Sequence, residues 1–357
     1  MSKIALITDS HWGARGDSLI FLSAFEKFYS EIFFPTLKER GINTIAHLGD
    51  IVERRKHINY NTLNAFKNQF VNRCIEDKIE LNVLIGNHDI YYKNTNSINS
   101  MNELFGNINS EYLNYYSAPT EITIDKLPII MIPWINQENY EETFNLIDKT
   151  KAEILFGHLD INGFELHKGH IQENGMDAKL FQKFDMVFSG HFHHKSQKGN
   201  IWYLGNTNQL TWSDYNDQRG FHIFDTETRT LEFIENPYKM FYKIIYNDLN
   251  KTKKEIVDKD FSGLTNTFVK VIIQDKTNPY YLDLMLDNLY SHTPAKVTIV
   301  DDNRNLDQMT DEEIIDSAED TMTIMNKYIE NIKVSVDPDK LKSIMHSLYR
   351  EAQSLEF

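Results

Sequence analysis

Asp9 and His11, Asp50, the run Asn87-His88-Asp89, His158, and the pair His191 and His193 are the residues of this chain best suited to chemistry. They are carboxylates, imidazoles and one amide, with no thiolate among them. Each group directly follows a short apolar run: "KIALIT", "TIAHL", "LNVLI", "AEILF" or "DMVFS". Singly, an Asp or His after a strand is most often a helix cap or a turn residue. Five such groups in this order ask for a common purpose. Carboxylate, imidazole and amide oxygen together suit Mn²⁺, Fe²⁺ or Zn²⁺ rather than the all-oxygen cage of Ca²⁺. The remaining histidines lack this support. His47 lies inside an apolar run and reads as a core residue, while His57, His167, His170, His194 and His222 read as surface or structural.

The elements that must position these groups are legible from periodicity. The five apolar runs have the texture of buried parallel strands. Leu19 to Arg40 carries Leu22, Phe25, Phe28, Tyr29, Ile32 and Phe33 at helical spacing and stops at Gly41. Asn61 to Lys78 repeats that pattern, and a third helix is predicted over Glu141 to Lys151. Strand and helix in alternation make an α/β sheet, with ligands gathered at the carboxyl ends of its strands. In extended chain, Asp9 and His11, like His191 and His193, would project to one side. "IWYLG", "GFHIF" and "TLEFIE" read as antiparallel strands completing a second sheet.

The hydrophobic fraction of 41% and the aromatic fraction of 12% supply a core, which excludes wholesale disorder. No apolar run is long enough for a membrane span, and the first residues read as a strand rather than a signal peptide. One cysteine, Cys74, permits no internal disulfide, which fits a cytoplasmic location. The formal charge of −15 argues at first sight against nucleic acid. About half of it, however, sits in the stretch Asp301 to Asp320, where nine acids stand against Arg304.

D-x-H, G-D, G-N-H-D, G-H and G-H-x-H in this order resemble the five motifs of the calcineurin-like metallophosphoesterases. Within that superfamily the chain looks like the SbcD-type, or meiotic-recombination-eleven, nuclease family, and most like its tailed-phage members. The pointers are "GDIVERRK" at the second motif, "MIPW" at Met131 to Trp134, "GHLDINGFELHKG" at Gly157 to Gly169 and "QRGFHIFDTET" at Gln218 to Thr228. One departure is visible: the family often carries Asp or His where this chain has Glu53.

The resemblance implies a two-sheet sandwich flanked by helices, a small β-α-β capping domain and a C-terminal helical hairpin. It implies boundaries at 1–238 for the nuclease domain, 239–303 for the cap, 304–317 for an acidic linker and 318–357 for the hairpin. One metal would take Asp9, His11, Asp50 and His193; the other would take Asp50, Asn87, His158 and His191, with Asp50 bridging. Mn²⁺ is the first expectation, with Mg²⁺, Fe²⁺ or Zn²⁺ as alternatives. His88 would meet the phosphate and protonate the leaving oxygen, with Asp89 orienting its ring. The activity implied is double-strand exonuclease and single-strand or hairpin endonuclease action. Arg54, Arg55 and Lys56 would touch DNA phosphates, their plain alternative being a solvated charge run.

Beyond residue 318 two apolar stripes appear, the second carrying Leu341, Ile344, Met345 and Leu348. A hairpin of this kind would grip an SbcC-type coiled-coil ATPase, with the chain a homodimer inside a 2:2 complex. Its plain alternative is two helices packed on each other. Two other readings share the motifs: a phosphatase or nucleotide phosphodiesterase, and a non-catalytic scaffold with a relic site.

Overall fold

The computed structural model describes residues 3–167, 170–301, 340–342, 344, 345 and 348. The expected acidic linker lies outside the described residues, as does most of the expected hairpin. Leu341, Ile344, Met345 and Leu348 are helical, and the side chains of Ile344 and Leu348 are exposed. The chain divides into two compact units, Met1–Met240 and Phe241–Phe357.

In the first unit the strands are β1 (Lys3–Ile7), β2 (Thr44–His47), β3 (Glu80–Leu84), β4 (Leu113–Tyr116), β5 (Thr120–Ile124), β6 (Leu127–Ile132) and β7 (Ile154–His158). They continue as β8 (Glu165–His167), β9 (His170–Ile171), β10 (Met186–Gly190), β11 (Ser196–Lys198), β12 (Ile201–Tyr203), β13 (Gly220–Asp225) and β14 (Leu231–Glu235). One six-stranded sheet runs β14-β13-β1-β2-β3-β4, and a second runs β11-β12-β10-β7-β6-β5. The strands that end in the five motifs are therefore shared between two sheets, three in the first and two in the second, rather than lying in one. "GFHIF" and "LEFIE" are antiparallel as expected, but they extend the first sheet beside β1. "IWY" joins the second sheet parallel to β10. Alternation of apolar and polar residues says which face of a strand is buried, not which neighbour it pairs with.

Side-chain alternation builds the core. Ile129 and Met131, Ile154 and Phe156, and Met186 and Phe188 point between the sheets, where they meet Ile4, Leu6, Ala46 and Phe224. Their sequence neighbours Ile130, Leu155 and Val187 point outward onto Ile147, Phe181 and Phe184. Each such fully buried apolar side chain contributes about 1.5–3 kcal/mol. On the outer face of the first sheet lie Phe25, Phe28, Tyr29 and Phe33 of the first helical stretch, all buried. That stretch runs Leu19–Phe28, passes through a π-turn at Tyr29–Phe33 and ends as Phe34–Arg40. Pro35 has no N–H to give to the carbonyl four residues back, so the ladder loosens just ahead of it. The other two helical regions run Tyr60–Phe66 on to Asn72–Glu76, and Tyr140–Lys149.

In the second unit β15 (Phe241–Asn247), β16 (Phe268–Asp275) and β17 (Lys296–Asp301) form a parallel three-stranded sheet in that order. Helix Pro279–Ser291 connects the last two. Asn278 caps it by accepting from the Tyr280 amide, and Pro279 occupies its first turn. Leu282, Met285 and Leu289 turn inward to Val269, Val271 and Ile273. The expected β-α-β unit is thus present with one further strand and helix ahead of it.

Candidate metal centre

All seven candidate ligands meet at the carboxyl ends of β1, β2, β3, β7 and β10. The first two loops are zipped together beyond their strands: Asp9 N–H donates to Gly49 O at 3.0 Å, His11 N–H to Asp50 O at 3.1 Å, and Trp12 N–H to Ile51 O at 2.9 Å. The bend at the rim is sharp. Asp9 (φ 49°), His11 (φ 47°), Asp50 (φ 51°) and His191 (φ 86°) all have left-handed backbone. The extended geometry expected for Asp9 and His11 is therefore not used. Side chains converge through a conformation costing roughly 1–3 kcal/mol at each such residue, which persists only where the surroundings over-determine it.

The glycines supply closeness. A methyl group on Gly86 would lie 2.3 Å from both the Asp50 amide nitrogen and its Oδ1. One on Gly190 would lie 2.1 Å from Thr8 Oγ1 and 2.8 Å from Leu48 O, so the two sheets meet at that point without room for a side chain. A Gly86→Ala protein is expected to lose about 1–3 kcal/mol of stability through overpacking. It should also lose bound metal, because Asp50 is what moves; thermal melting and metal analysis on one preparation would check both.

Two donor clusters result. In the first, His11 Nε2 lies 3.0 Å from His193 Nε2, with Asp9 Oδ1 at 4.0 and 3.9 Å from the two nitrogens. In the second, His158 Nε2 lies 3.0 Å from Asn87 Oδ1 and 3.4 Å from Asp50 Oδ2. His191 completes that group, with a ligand atom within 4.8 Å of those of Asp50 and His158. Asp50 Oδ2 is also 4.0 Å from His11 Nε2, so one oxygen faces both clusters. Asp50 Oδ1 accepts the His88 amide at 2.7 Å, which fixes the carboxylate's rotation.

The donors fit a divalent cation. Metal–ligand bonds of about 2.0–2.2 Å place neighbouring donors roughly 3.0–3.5 Å apart, the spacing of the closest pairs here. Two imidazole nitrogens facing each other at 3.0 Å repel unless a proton or a cation lies between them. Burial alone would push the His11 and His158 imidazoliums down; at His11 it is outweighed by Glu53, Asp50 and Asp9, at His158 by Asp50, Asp9 and the Leu48 carbonyl, and both are raised to about 9. Burial holds His191 down at about 3. For Asp50, burial is overcome by His158, His88 and His11, and its carboxyl stays well below the ordinary range. Asp9, more governed by burial, is raised. Cations bind such donors in competition with protons, so occupancy of the centre should weaken as pH falls.

The supports of the ligands differ from expectation at Asp89. Its carboxylate accepts from the amides of Gly86 (2.8 Å), Ile51 (3.0 Å) and Val52 (3.2 Å), tying the second and third motif loops together. The His88 ring is instead held at Nδ1 by the carbonyl of Glu53, at 2.7 Å. Asp89 is consumed by backbone donors and does not orient that ring. His158 Nδ1 pairs with Leu48 O at 2.7 Å, leaving Nε2 for the centre.

His194 turns away from the ligands: its Nδ1 pairs with Asp217 at 2.8 Å. His47 is fully buried against Ser10, and His222 is buried beside Phe233. Of the three basic residues, Arg54 already pairs with Asp17 at 2.9 Å, whereas Lys56 is exposed.

Two contributors carry no metal-ligand signature in the sequence. Arg219 donates to the main-chain carbonyl of His193 and pairs with Asp214 at 2.7 Å and Asp217 at 3.0 Å, clamping the last motif loop. Its only signal is the "QRGF" stretch, which points to the family and not to this task. Trp134 lies with its ring 5.0 Å from that of His191 and follows β6, a strand carrying no ligand.

Residues 2–195 match the model of the calcineurin-like phosphoesterase family. The chain belongs to this family. Exonuclease subunit 1 of Enterobacteria phage T4 is 33% identical over 320 residues, covering 88% of this chain and 89% of that protein. The SbcD component of the SbcCD nuclease of Staphylococcus epidermidis is 25% identical over 235 residues, 58% of each chain. Among solved structures, an archaeal phosphodiesterase aligns over 66% of this chain and 99% of its own at 15% identity, with a TM-score of 0.33, too low to carry functional weight. No helix among the described residues is long and apolar enough to cross a membrane.

Proposed function

We propose that this metallophosphoesterase is the nuclease subunit of an ATP-driven DNA end-processing complex, hydrolysing phosphodiester bonds with two divalent cations. The observation that carries the reading is that one Asp50 oxygen faces both donor clusters while His88 stands beside them. The names of the two relatives, an exonuclease subunit and a nuclease subunit, support a nucleic acid as substrate, and DNA is part of the proposal. When bound, the cations supply charge stabilisation for a phosphodiester and a water of lowered pKa. Asp9, His11, Asp50 and His193 would hold one, and Asp50, Asn87, His158 and His191 the other.

The chain's own residues do the rest. His88, held at Nδ1 by a carbonyl, presents Nε2 to the substrate and delivers a proton to the departing oxygen. Buried Asp89 keeps the loops carrying Asp50 and His88 in register. The second unit is proposed to help hold duplex DNA. The apolar residues Leu341, Ile344, Met345 and Leu348 are proposed to meet an SbcC-type coiled-coil ATPase, a role that the exposure of Ile344 and Leu348 supports. Homodimerisation and Mn²⁺ belong to the same proposal.

The test is incubation of the purified chain with labelled linear duplex and Mn²⁺, with and without the candidate ATPase. Metal-dependent shortening of the duplex, stimulated by ATPase and ATP, is the expected result. Truncation before Asp311 should keep hydrolysis of simple diesters and abolish co-elution with the ATPase. Release of phosphate from small monoesters with DNA left intact would favour a phosphatase instead.

A further inference from the structure

We infer that Glu53 is a positioning residue for this centre, its carboxylate fixing and strengthening the His11 ligand while its main-chain carbonyl sets the His88 ring. The inference rests on the two-cation reading above and assigns a task to a residue that neither cluster contains.

Glu53 Oε2 lies 2.9 Å from His11 Nδ1, on the side of the ring away from His193. His11 is buried, while the Glu53 side chain is about one-third exposed at the edge of the site. The contact is a close ionic one rather than a hydrogen bond of good geometry. A carboxylate at that nitrogen keeps the ring proton on Nδ1. Nε2 is then the free donor, and it is the atom that faces Asp9, Asp50 and His193. A negative charge behind an imidazole also makes its free nitrogen a stronger ligand.

The main chain of Glu53 is equally engaged. Its N–H donates to the Trp12 carbonyl at 3.1 Å, next to His11, and its own carbonyl accepts His88 Nδ1–H at 2.7 Å. The His11 and His88 rings stand edge to face, 4.9 Å between centroids. One residue therefore registers a metal ligand, through its side chain, against the proposed proton donor, through its backbone. Side-chain replacement removes the first link and leaves the second, which makes the claim separable. The competing possibility is that His11, Glu53 and His88 themselves hold an ion, since their donor atoms lie within 4.8 Å of one another.

The experiment uses full-length wild-type, Glu53→Gln and Glu53→Ala proteins, titrated with Mn²⁺ calorimetrically after metal removal. Hydrolysis of bis(p-nitrophenyl) phosphate is then followed across Mn²⁺ concentration. Both variants should bind as many ions at saturation as wild type, with affinity at one site weakened about 10- to 100-fold. Turnover should approach the wild-type value once Mn²⁺ saturates, with KM for the ester unchanged. Wild-type affinity in Glu53→Gln would overturn the charge-based role. Fewer ions at saturation, with turnover never restored, would overturn it differently by making Glu53 a ligand. A wild-type count of one ion would sink the two-cation reading, yet the ratio of variant to wild-type affinity would still decide the role of Glu53.

Discussion

An Asp50→Ala protein should fold, bind neither cation tightly and lose phosphodiester hydrolysis by a factor on the order of 10³ or more. The expectation of a double loss follows from one atom. Asp50 Oδ2 stands 3.4 Å from His158 Nε2 and 4.0 Å from His11 Nε2, so this oxygen is shared between the clusters. Removing about 4 kcal/mol of charge stabilisation from a transition state corresponds to roughly 10³ in rate, and two cations supply at least that. The fold should survive because the inter-sheet core of Ile4, Leu6, Ile129, Phe156 and Phe188 makes no use of Asp50. His193→Ala is the matched control: its nitrogen faces His11 and Asp9 of the first cluster, so one ion should remain. Metal content by mass spectrometry, far-ultraviolet dichroism and diester hydrolysis would be measured together. Full activity in Asp50→Ala would end the bridging assignment.

Much of this site is legible in the sequence because ligand chemistry is local. An Asp, His or Asn set directly after an apolar run declares both its donor atom and its place at a strand end. What is not legible depends on contacts between distant segments. Periodicity places β7 and β10 as strands, but nothing in "AEILF" or "DMVFS" says that they belong to a different sheet from "KIALIT". The left-handed backbone at Asp9, His11, Asp50 and His191 is hidden for a related reason. Asp and His visit positive φ more readily than other non-glycine residues but still uncommonly, and it is the docking of loops from two sheets that holds four of them there. At Asp89, adjacency to His88 suggests pairing, whereas a buried carboxylate among free loop amides collects those amides first. Glu53 shows in the sequence only as a departure from a family pattern. Its partner nitrogen sits 42 residues earlier in the numbering, beyond the reach of any local spacing rule.

His88→Ala should separate binding from chemistry in the opposite sense to Asp50→Ala. Turnover is expected to fall by about 10²–10⁴, the usual contribution of a positioned general acid, with both cations retained. Retention follows from how His88 serves the ligands. It is the main-chain amide, not the ring, that donates to Asp50 Oδ1 at 2.7 Å, and alanine keeps that amide. The ring's own anchor, the Glu53 carbonyl at 2.7 Å, faces the edge of the site and can take a water in the variant. His88→Gln is the sharper probe, since it keeps a hydrogen-bonding side chain but cannot deliver a proton at neutral pH. If His88 acts on the transition state, kcat falls in both variants while the Mn²⁺ titration stays unchanged. An ester with a very acidic leaving group should be spared, because its departing oxygen needs no proton. Comparing bis(p-nitrophenyl) phosphate with a DNA diester in the same variant therefore tests the role directly. An equal loss on both substrates would move His88 from proton donor to phosphate binder. A fall in bound Mn²⁺ would make it a ligand, and the division of labour among these histidines would have to be redrawn.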